Sequence, residues 1–194
     1  MTVRSIEAWK VLQSTYSYSD QWVRLRSDVV LLPNGTRLAP YHTLEIPDGV
    51  NILAFTPARK VILVEQYRHP VGRIHFELPA GHMNANELAE ESARRELLEE
   101  TGFSAGTWHY LGETCTMASR LSNRIHNFLA VDVVKAHDPS PDAAEIIRVH
   151  CLEWANLMLS IATGQLMISE ANQLATFFLA QQFARAKAEL KLDI

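Results

Sequence analysis

The chain has 194 residues, of which 47% are apolar and 21% charged, and its formal net charge at pH 7 is −4. This length accommodates one domain with a full core plus a smaller appendage, and the composition is that of an ordinary soluble globular protein. The acidic balance, without a run of Lys or Arg, argues against nucleic acid as a partner. Cys115 and Cys151 lack zinc-ligand spacing and are expected to be buried thiols. The tryptophans Trp22, Trp108 and Trp154 are expected in the core.

Targeting and membrane segments are not evident. The N-terminal residues lack an apolar core followed by a small-residue cleavage site. No stretch approaches the roughly 18 consecutive apolar residues of a membrane span. We therefore expect a cytoplasmic protein with no membrane partner.

A β-hairpin is predicted near the N-terminus. Residues 22–32 alternate apolar and charged side chains, and residues 36–46 return as a second strand after the turn signal Pro-Asn-Gly at 33–35. The sequence Pro-Asp-Gly at 47–49 then interrupts the pattern. We therefore expect residues 1–48 to form an N-terminal antiparallel β appendage.

The main domain is predicted to span residues 49–194 and to combine strands with helices. The expected strands are residues 50–56, 61–67, 74–78, 108–116, 125–134 and 146–153. The expected helices are residues 87–101, 154–163 and 169–190, the last with Ser169 as N-cap and Glu170 in its first turn. This order indicates a mixed α/β or α+β domain.

Residues 81–103, GHMNANELAEESARRELLEETGF, are the most informative stretch. Glu96, Glu99 and Glu100 stand at i, i+3 and i+4, so they share one helix face, where like charges destabilise the helix. A divalent cation held between the carboxylates removes this repulsion, and Mg²⁺ or Mn²⁺ prefers such oxygen ligands. The alternative is a solvated, charge-rich face, which explains neither the flanking glycines nor the spacing.

This stretch resembles the Nudix box of hydrolases that cleave a nucleoside diphosphate linked to another group. The resemblance implies a Nudix α/β/α sandwich, with a mixed central sheet between helices. It also implies that the carbonyl of Ala80 joins Glu96, Glu99 and Glu100 as a metal ligand. The matching positions are Gly81, Glu87, Arg95, Glu96, Leu97, Glu99, Glu100, Gly102 and Phe103. Among these, Gly81, Glu87, Arg95 and Gly102 are given structural roles, with the Glu87–Arg95 pair tying the loop to the helix.

A base or water-orienting group is also needed. In dimeric ADP-ribose pyrophosphatases, which this chain resembles, the loop before the last strand carries one acidic metal ligand and one base. Here Glu145 stands at the metal-contacting position, but Ala143 stands where the base is expected. Glu145, Asp142 and Glu100 therefore all remain open as the base, and Glu99 is kept as a catalytic candidate. The loop acids can also be ordinary solvent-exposed groups.

Residues 64–81, VEQYRHPVGRIHFELPAG, resemble the ADP-ribose and nucleotide-sugar pyrophosphatase subgroup. Arg68 and Glu77 are candidate substrate-binding residues, because a guanidinium matches phosphate oxygens. A salt bridge between the two is an equally open interpretation. A proline that the subgroup often carries after the box is missing from residues 117–123, and Arg120 or Arg124 is a candidate contact for the distal phosphate or sugar.

These residues predict hydrolysis of the pyrophosphate bond in a nucleoside diphosphate sugar, ADP-ribose favoured, giving a nucleoside monophosphate and a sugar phosphate. Mg²⁺ is the expected cofactor, with Mn²⁺ possible. The appendage implies a homodimer and a nucleobase pocket, with Trp22 or Tyr41 as stacking candidates. The alternatives are a house-cleaning nucleoside triphosphate or dinucleoside polyphosphate hydrolase and, more distantly, a non-catalytic nucleotide-sensing module.

Overall fold

The computed structural model describes residues 6–142, 145–166, 168, 170–187, 192 and 194. These residues form two compact units. The first unit contains the chain up to Pro47 together with Met117–Asn123, and the second contains Asp48–Thr116 and the chain from Arg124 onward. None of the helices in the described part of the chain has the length and apolar character needed to span a bilayer.

The first unit is a three-stranded antiparallel sheet. Its strands are β1 (Lys10–Ser19), β2 (Arg24–Leu31) and β3 (Arg37–Glu45), in the order β1-β2-β3. The predicted β2–β3 hairpin is confirmed. Strand β1 was not predicted, because its sequence, KVLQSTYSYS, has no face that is buried, and every one of its residues is exposed.

The segment Met117–Asn123 joins this sheet beside β3. The amide of Leu44 donates to the carbonyl of Arg120 at 2.8 Å, and the amide of Ser122 donates to the carbonyl of Leu44 at 3.1 Å. The hydroxyl of Tyr41 donates to the carbonyl of Ser119 at 2.7 Å. A loop distant in sequence is therefore part of the N-terminal unit.

The second unit contains a seven-stranded mixed sheet with the path β12-β5-β4-β10-β9. Strand β6 pairs with β5 and β7 pairs with β4, while β8 and β11 form a separate small pair. Strands β4 and β10 are parallel, and the other pairs are antiparallel. The strands are β4 (Gly49–Phe55), β5 (Lys60–Arg68), β6 (Arg73–Glu77), β7 (Ala80–His82), β8 (Phe103–Ser104), β9 (Thr107–Thr114), β10 (Ile125–Val131), β11 (Val134–Lys135) and β12 (Ile147–Glu153).

Within the residues that the structure describes, three α-helices cover the two faces of this sheet, namely α1 (Ala89–Thr101), α2 (Trp154–Ala162) and α3 (Ala171–Ala186). Consecutive strand residues point to opposite faces, so the apolar strands bury both. Ile52 packs in the cluster that contains Leu97 of α1, whereas Leu53 packs in the cluster that contains Leu157 of α2 and Phe177 of α3. The expected α/β/α sandwich with a mixed central sheet is confirmed.

Two predicted helices differ in their limits. The acidic helix begins at Ala89, which leaves Glu87 in the preceding loop. The last helix begins at Ala171, so Glu170 precedes it instead of lying in its first turn. The predicted N-cap Ser169 and the predicted end at Leu190 lie outside the described residues.

The expected burial of the cysteines and of Trp22 is wrong. Cys115 and Cys151 are both exposed. Cys115 follows β9 and Cys151 lies in β12, and these two strands are the ends of the sheet path. Trp22 is 60% exposed, since it lies in the connection between β1 and β2. Trp108 and Trp154 are half-buried; the ring of Trp154 packs between core phenylalanines.

Candidate active site

The segment Leu78–Ala80 connects β6 to β7 and holds the main chain of the candidate site in place. The amide of Leu78 donates to Oε1 of Gln173 at 2.8 Å. The carbonyl of Pro79 accepts from the amide of Ile52 at 3.0 Å. The amide of Ala80 donates to Oε2 of Glu100 at 3.0 Å, which brings the predicted ligand residue Ala80 against α1.

Gly81 lies directly against the side chain of Glu96. A Cβ atom at Gly81 would overlap Cδ and both carboxylate oxygens of Glu96, whereas carbon atoms in contact stand about 3.5–4.0 Å apart. Glycine at this position therefore leaves the space that the Glu96 carboxylate occupies.

Two of the three predicted ligand carboxylates are buried. Glu96 is 9% and Glu100 is 1% exposed. Burial raises the pKa of Glu100 well above its usual value, although the hydrogen bond from the Ala80 amide lowers it. The charges of Glu96 and Glu145 raise this pKa further. Burial also raises the pKa of Glu96, an effect that the Arg95 guanidinium opposes and the charges of Glu99 and Glu145 reinforce. A bound cation would favour the charged form of both carboxyl groups and so lower these pKa values.

Arg95, which the sequence paired with Glu87, also contacts the acidic cluster. Its guanidinium lies 2.7 Å from Oε1 of Glu96 and 3.1 Å from Oε2 of Glu99. The side chain of Glu99 is 44% exposed, and the same Nη1 atom of Arg95 lies between its carboxylate and that of Glu96. Within the described residues, no three His, Cys, Asp or Glu side chains form a ready-made ligand group.

The residues present nevertheless fit a hard divalent cation. The donors are carboxylate and carbonyl oxygens, which are the ligands that Mg²⁺ and Mn²⁺ take. Among the described residues, the Ala80 amide is the one hydrogen-bond donor to the buried carboxylate of Glu100. One neutral donor does not offset the cost of burying a negative charge. Arg95 occupies one carboxylate oxygen of Glu96 and one of Glu99.

The pair of Glu87 and Arg95 connects the loop to the helix. Arg95 donates Nε and Nη2 to the two carboxylate oxygens of Glu87 at 2.8 and 3.0 Å, and Nη2 also reaches the carbonyl of His82 at 3.1 Å. The amide of Asn84 donates to Glu87 at 2.8 Å. These bonds, with Arg95 first among them, lower the pKa of Glu87 to about 2.

The loop acids lie beside this cluster. The amide of Asp142 donates to Oε2 of Glu145 at 3.2 Å, and the amide of Glu145 donates to the carbonyl of Asp142 at 2.8 Å. Both residues are exposed, and the charge of Glu145 acts on Glu96 and Glu100. Ala143, where the subgroup can carry its base, lies outside the described residues.

The basic candidates have protein partners. Nη2 of Arg68 lies 2.6 Å from Oε2 of Glu77, which is fully buried and also accepts from Gln66 at 3.1 Å. The salt bridge is therefore present, while the side chain of Arg68 stays 41% exposed. In the first unit, the guanidinium of Arg120 stacks 4.9 Å from the centre of the Tyr41 ring.

Arg124, the second candidate for the distal phosphate or sugar, belongs to the other unit. It lies 2.8 Å from Glu113, and this hydrogen-bonded contact raises its pKa.

Gln173 was missed from the sequence. Its side chain is 1% exposed and supports Leu78 through the bond described above. The available signal was the polar group Asn172, Gln173 and Thr176, which shares one side of the first turns of a helix that also carries apolar residues. That pattern alone does not say which strand the helix packs against.

The structure thus places a mixed sheet between helices, with the buried carboxylates of Glu96 and Glu100 on α1 beside Gly81. A NUDIX domain model matches residues 45–170, and a nucleoside diphosphate sugar hydrolase N-terminal domain model matches residues 9–44. The chain belongs to the Nudix family.

Similar proteins agree with this assignment. The chain is 32% identical over 131 residues to the ADP-ribose pyrophosphatase of Bacillus subtilis (strain 168), covering 68% of this chain and 70% of that protein. It is 32% identical over 126 residues to the methanol dehydrogenase activator of Bacillus methanolicus, covering 65% and 68%. A crystal structure of an ADP compounds hydrolase matches with a TM-score of 0.81 at 20% identity, over 95% of this chain and 98% of that one. This last likeness shows the shared fold.

Proposed function

We propose that the protein hydrolyses the pyrophosphate bond of a nucleoside diphosphate sugar, ADP-ribose favoured, to a nucleoside monophosphate and a sugar phosphate. The observation that carries the proposal is the buried pair Glu96 and Glu100 beside Gly81, in a chain that also matches a nucleoside diphosphate sugar hydrolase N-terminal domain. The similarity to an ADP-ribose pyrophosphatase supports ADP-ribose as the first substrate.

The proposed cofactor is Mg²⁺, which Mn²⁺ can replace. The residues that would hold it are Glu96, Glu99, Glu100 and Glu145, together with the carbonyl of Ala80. When bound there, such a cation would supply charge neutralisation for phosphate oxygens and a lower pKa for a water molecule. Arg68 is partly exposed and keeps guanidinium donors available to orient a phosphate oxygen.

Glu145 is the favoured base among the three open candidates. It is exposed and therefore accessible to a water molecule, and its charge acts on both Glu96 and Glu100. Glu100 is buried and its carboxylate accepts from the Ala80 amide, so it is less accessible to the attacking water. Asp142 lies beside Glu145 and is the second choice.

The N-terminal unit is proposed to carry the nucleobase pocket and the homodimer contact. It has a pocket of about 520 Å³ whose lining includes Trp22, Arg24 and Glu45. An aromatic ring and hydrogen-bonding side chains around such a pocket suit a purine. A cytoplasmic location remains a prediction.

The test is a substrate panel with carboxylate variants. Wild type, Glu99→Gln and Glu100→Gln are assayed with Mg²⁺ on ADP-ribose, other sugar nucleotides, a dinucleoside polyphosphate and a nucleoside triphosphate, in ¹⁸O-labelled water. The control is Glu90→Gln, an exposed acid on α1 that pairs with Arg94. We expect both site variants to lower kcat by about 100-fold or more and the control to retain turnover.

Three outcomes would contradict the proposal. Unchanged turnover in both site variants would remove the metal assignment. A preference for the triphosphate or the dinucleoside polyphosphate would favour the house-cleaning alternative. Tight nucleotide binding without hydrolysis of any panel member would favour the sensing module.

A further inference from the structure

Helix α3 presents a polar group to the interior of the second unit. Asn172, Gln173 and Thr176 are 9%, 1% and 0% exposed, on the same helix as the buried apolar residues Phe177 and Ala180. Burying polar side chains is unfavourable unless they are hydrogen-bonded, so their partners show what the polar group does.

The partner of Gln173 is the segment that leads into the candidate metal site. Leu78–Ala80 has only two amide hydrogens, because Pro79 has none. The amide of Leu78 donates to Gln173 on α3 and that of Ala80 to Glu100 on α1. The carbonyl of Pro79 is held by Ile52 of β4. Hydrogen bonds from α3, α1 and β4 thus hold the segment Leu78–Ala80 in place, and Gln173 makes the bond from α3.

We propose that Gln173 is a positioning residue for the metal site, acting through the Leu78 amide on the place of the Ala80 carbonyl. This inference rests on the proposed function, because that function supplies the metal site. Without the Gln173 acceptor, the buried Leu78 amide has lost its described partner, and the segment can relieve this only by moving. Such movement changes the distance between the Ala80 carbonyl and the Glu100 carboxylate, two of the proposed ligands.

The test measures Mn²⁺ binding directly, by the electron paramagnetic resonance signal of free Mn²⁺, on the full chain without substrate. Gln173→Leu removes the acceptor while keeping a buried side chain of similar size. The matched control is Ala180→Gly, seven residues further along α3 and fully buried. It weakens the same helix without removing a hydrogen bond.

We expect Gln173→Leu to raise the Kd of Mn²⁺ about 10- to 100-fold, as loss of an outer-shell partner does. The Mg²⁺ concentration for half-maximal hydrolysis should rise in parallel, while the KM for substrate at saturating Mg²⁺ stays at the wild-type value. Ala180→Gly should keep the wild-type Kd. If Gln173→Leu fails to fold, Gln173→Asn is tested in its place. Its side chain is one methylene shorter, so the amide oxygen lies farther from the Leu78 amide.

A wild-type Kd in the Gln173 variant, or an equal rise in Ala180→Gly, would overturn the positioning role. Glu100→Gln is measured alongside to separate this result from a failure of the proposed function. If Glu100→Gln binds Mn²⁺ as tightly as wild type, the metal site itself is wrong. If only Glu100→Gln loses affinity, the metal site stands and the role of Gln173 does not.

Discussion

At the scale of single residues, the candidate site depends on the close approach of Gly81 to Glu96. The atoms that a Cβ at Gly81 would overlap are the far end of a flexible side chain. We therefore predict that Gly81→Ala changes the free energy of unfolding little but displaces the Glu96 carboxylate. The expected result is a Kd for Mn²⁺ raised about tenfold or more, measured by Mn²⁺ titration.

A double-mutant cycle separates this displacement from other effects of the substitution. Glu96→Ala removes the side chain that Gly81→Ala pushes aside. Adding Gly81→Ala to Glu96→Ala should therefore cost no further affinity. Additive losses in the cycle would contradict the proposed contact.

The Glu87–Arg95 pair predicts a pH dependence of stability. The pKa of Glu87 is about 2 in the folded chain and its ordinary value is 4.5. A lowered folded pKa means that the stabilisation is complete above pH 4.5 and is lost as the pH falls toward 2. After allowance for solvent screening, we expect Glu87→Gln to cost about 1–2 kcal/mol at pH 7. In urea unfolding, this difference should shrink between pH 5 and pH 2; a constant difference would contradict it.

The sequence located the acidic residues but not their orientations. The spacing placed Glu96, Glu99 and Glu100 on one face, yet only Glu96 and Glu100 are buried. The orientation of Glu99 follows from its contact with Arg95, four residues earlier. Helix periodicity does not predict whether the Glu99 carboxylate pairs with the Arg95 guanidinium or binds a metal ion, because both lie within reach of its side chain.

At the scale of elements, the glycine that follows the last residue of α1 is required for two reasons. Gly102 has φ 72°, and its amide donates to the carbonyl of Leu98 at 2.8 Å, which closes the last turn. A Cβ there would also overlap the carbonyl oxygen of His137. Backbone atoms cannot rotate away as a side chain does.

We predict that Gly102→Ala destabilises the protein by more than the conformational cost alone, which is about 1 kcal/mol. The control is Gly164→Ala, which has φ 73° and no atom near the added Cβ. Urea unfolding of both variants should show a loss for Gly102→Ala at least twice that of the control. Equal losses would show that the contact with His137 does not matter.

The elements that the sequence predicted are those with a regular apolar pattern. The limits of the buried strands β4 and β5 and of the helix α1 fall within two residues of their predicted positions, and β10 begins at the predicted residue but ends three residues earlier. Strand β1 was missed because neither of its faces is buried. The pairing of Leu44 with Leu121 was missed because a contact between residues so distant in sequence leaves no local pattern.

At the scale of the whole molecule, the exposed apolar side chains of β1 support the proposed homodimer. Val11, Leu12, Tyr16 and Tyr18 are each about half exposed. A contiguous apolar surface built from such side chains would mark an interaction site. The Nudix sheet and its carboxylates lie in the other unit, so the dimer contact and the metal site can be tested separately.

We predict that the full chain sediments as a dimer at micromolar concentration. Leu12→Lys should weaken the dimer about tenfold or more, because it places a charge in the contact. Leu159→Lys is the control, since Leu159 is 62% exposed on α2 in the other unit. A wild-type monomer at this concentration, or equal weakening by both variants, would contradict the dimer contact.

The most direct test of the central claim is anomalous scattering from crystals of the full chain grown with Mn²⁺ and a non-hydrolysable ADP-ribose analogue. We predict Mn²⁺ between the diphosphate and α1, with oxygens of Glu96, Glu100 and the Ala80 carbonyl at about 2.0–2.3 Å and Arg95 withdrawn from Glu96. Mn²⁺ bound elsewhere, with Glu96 still paired to Arg95 and the diphosphate remote from α1, would contradict it.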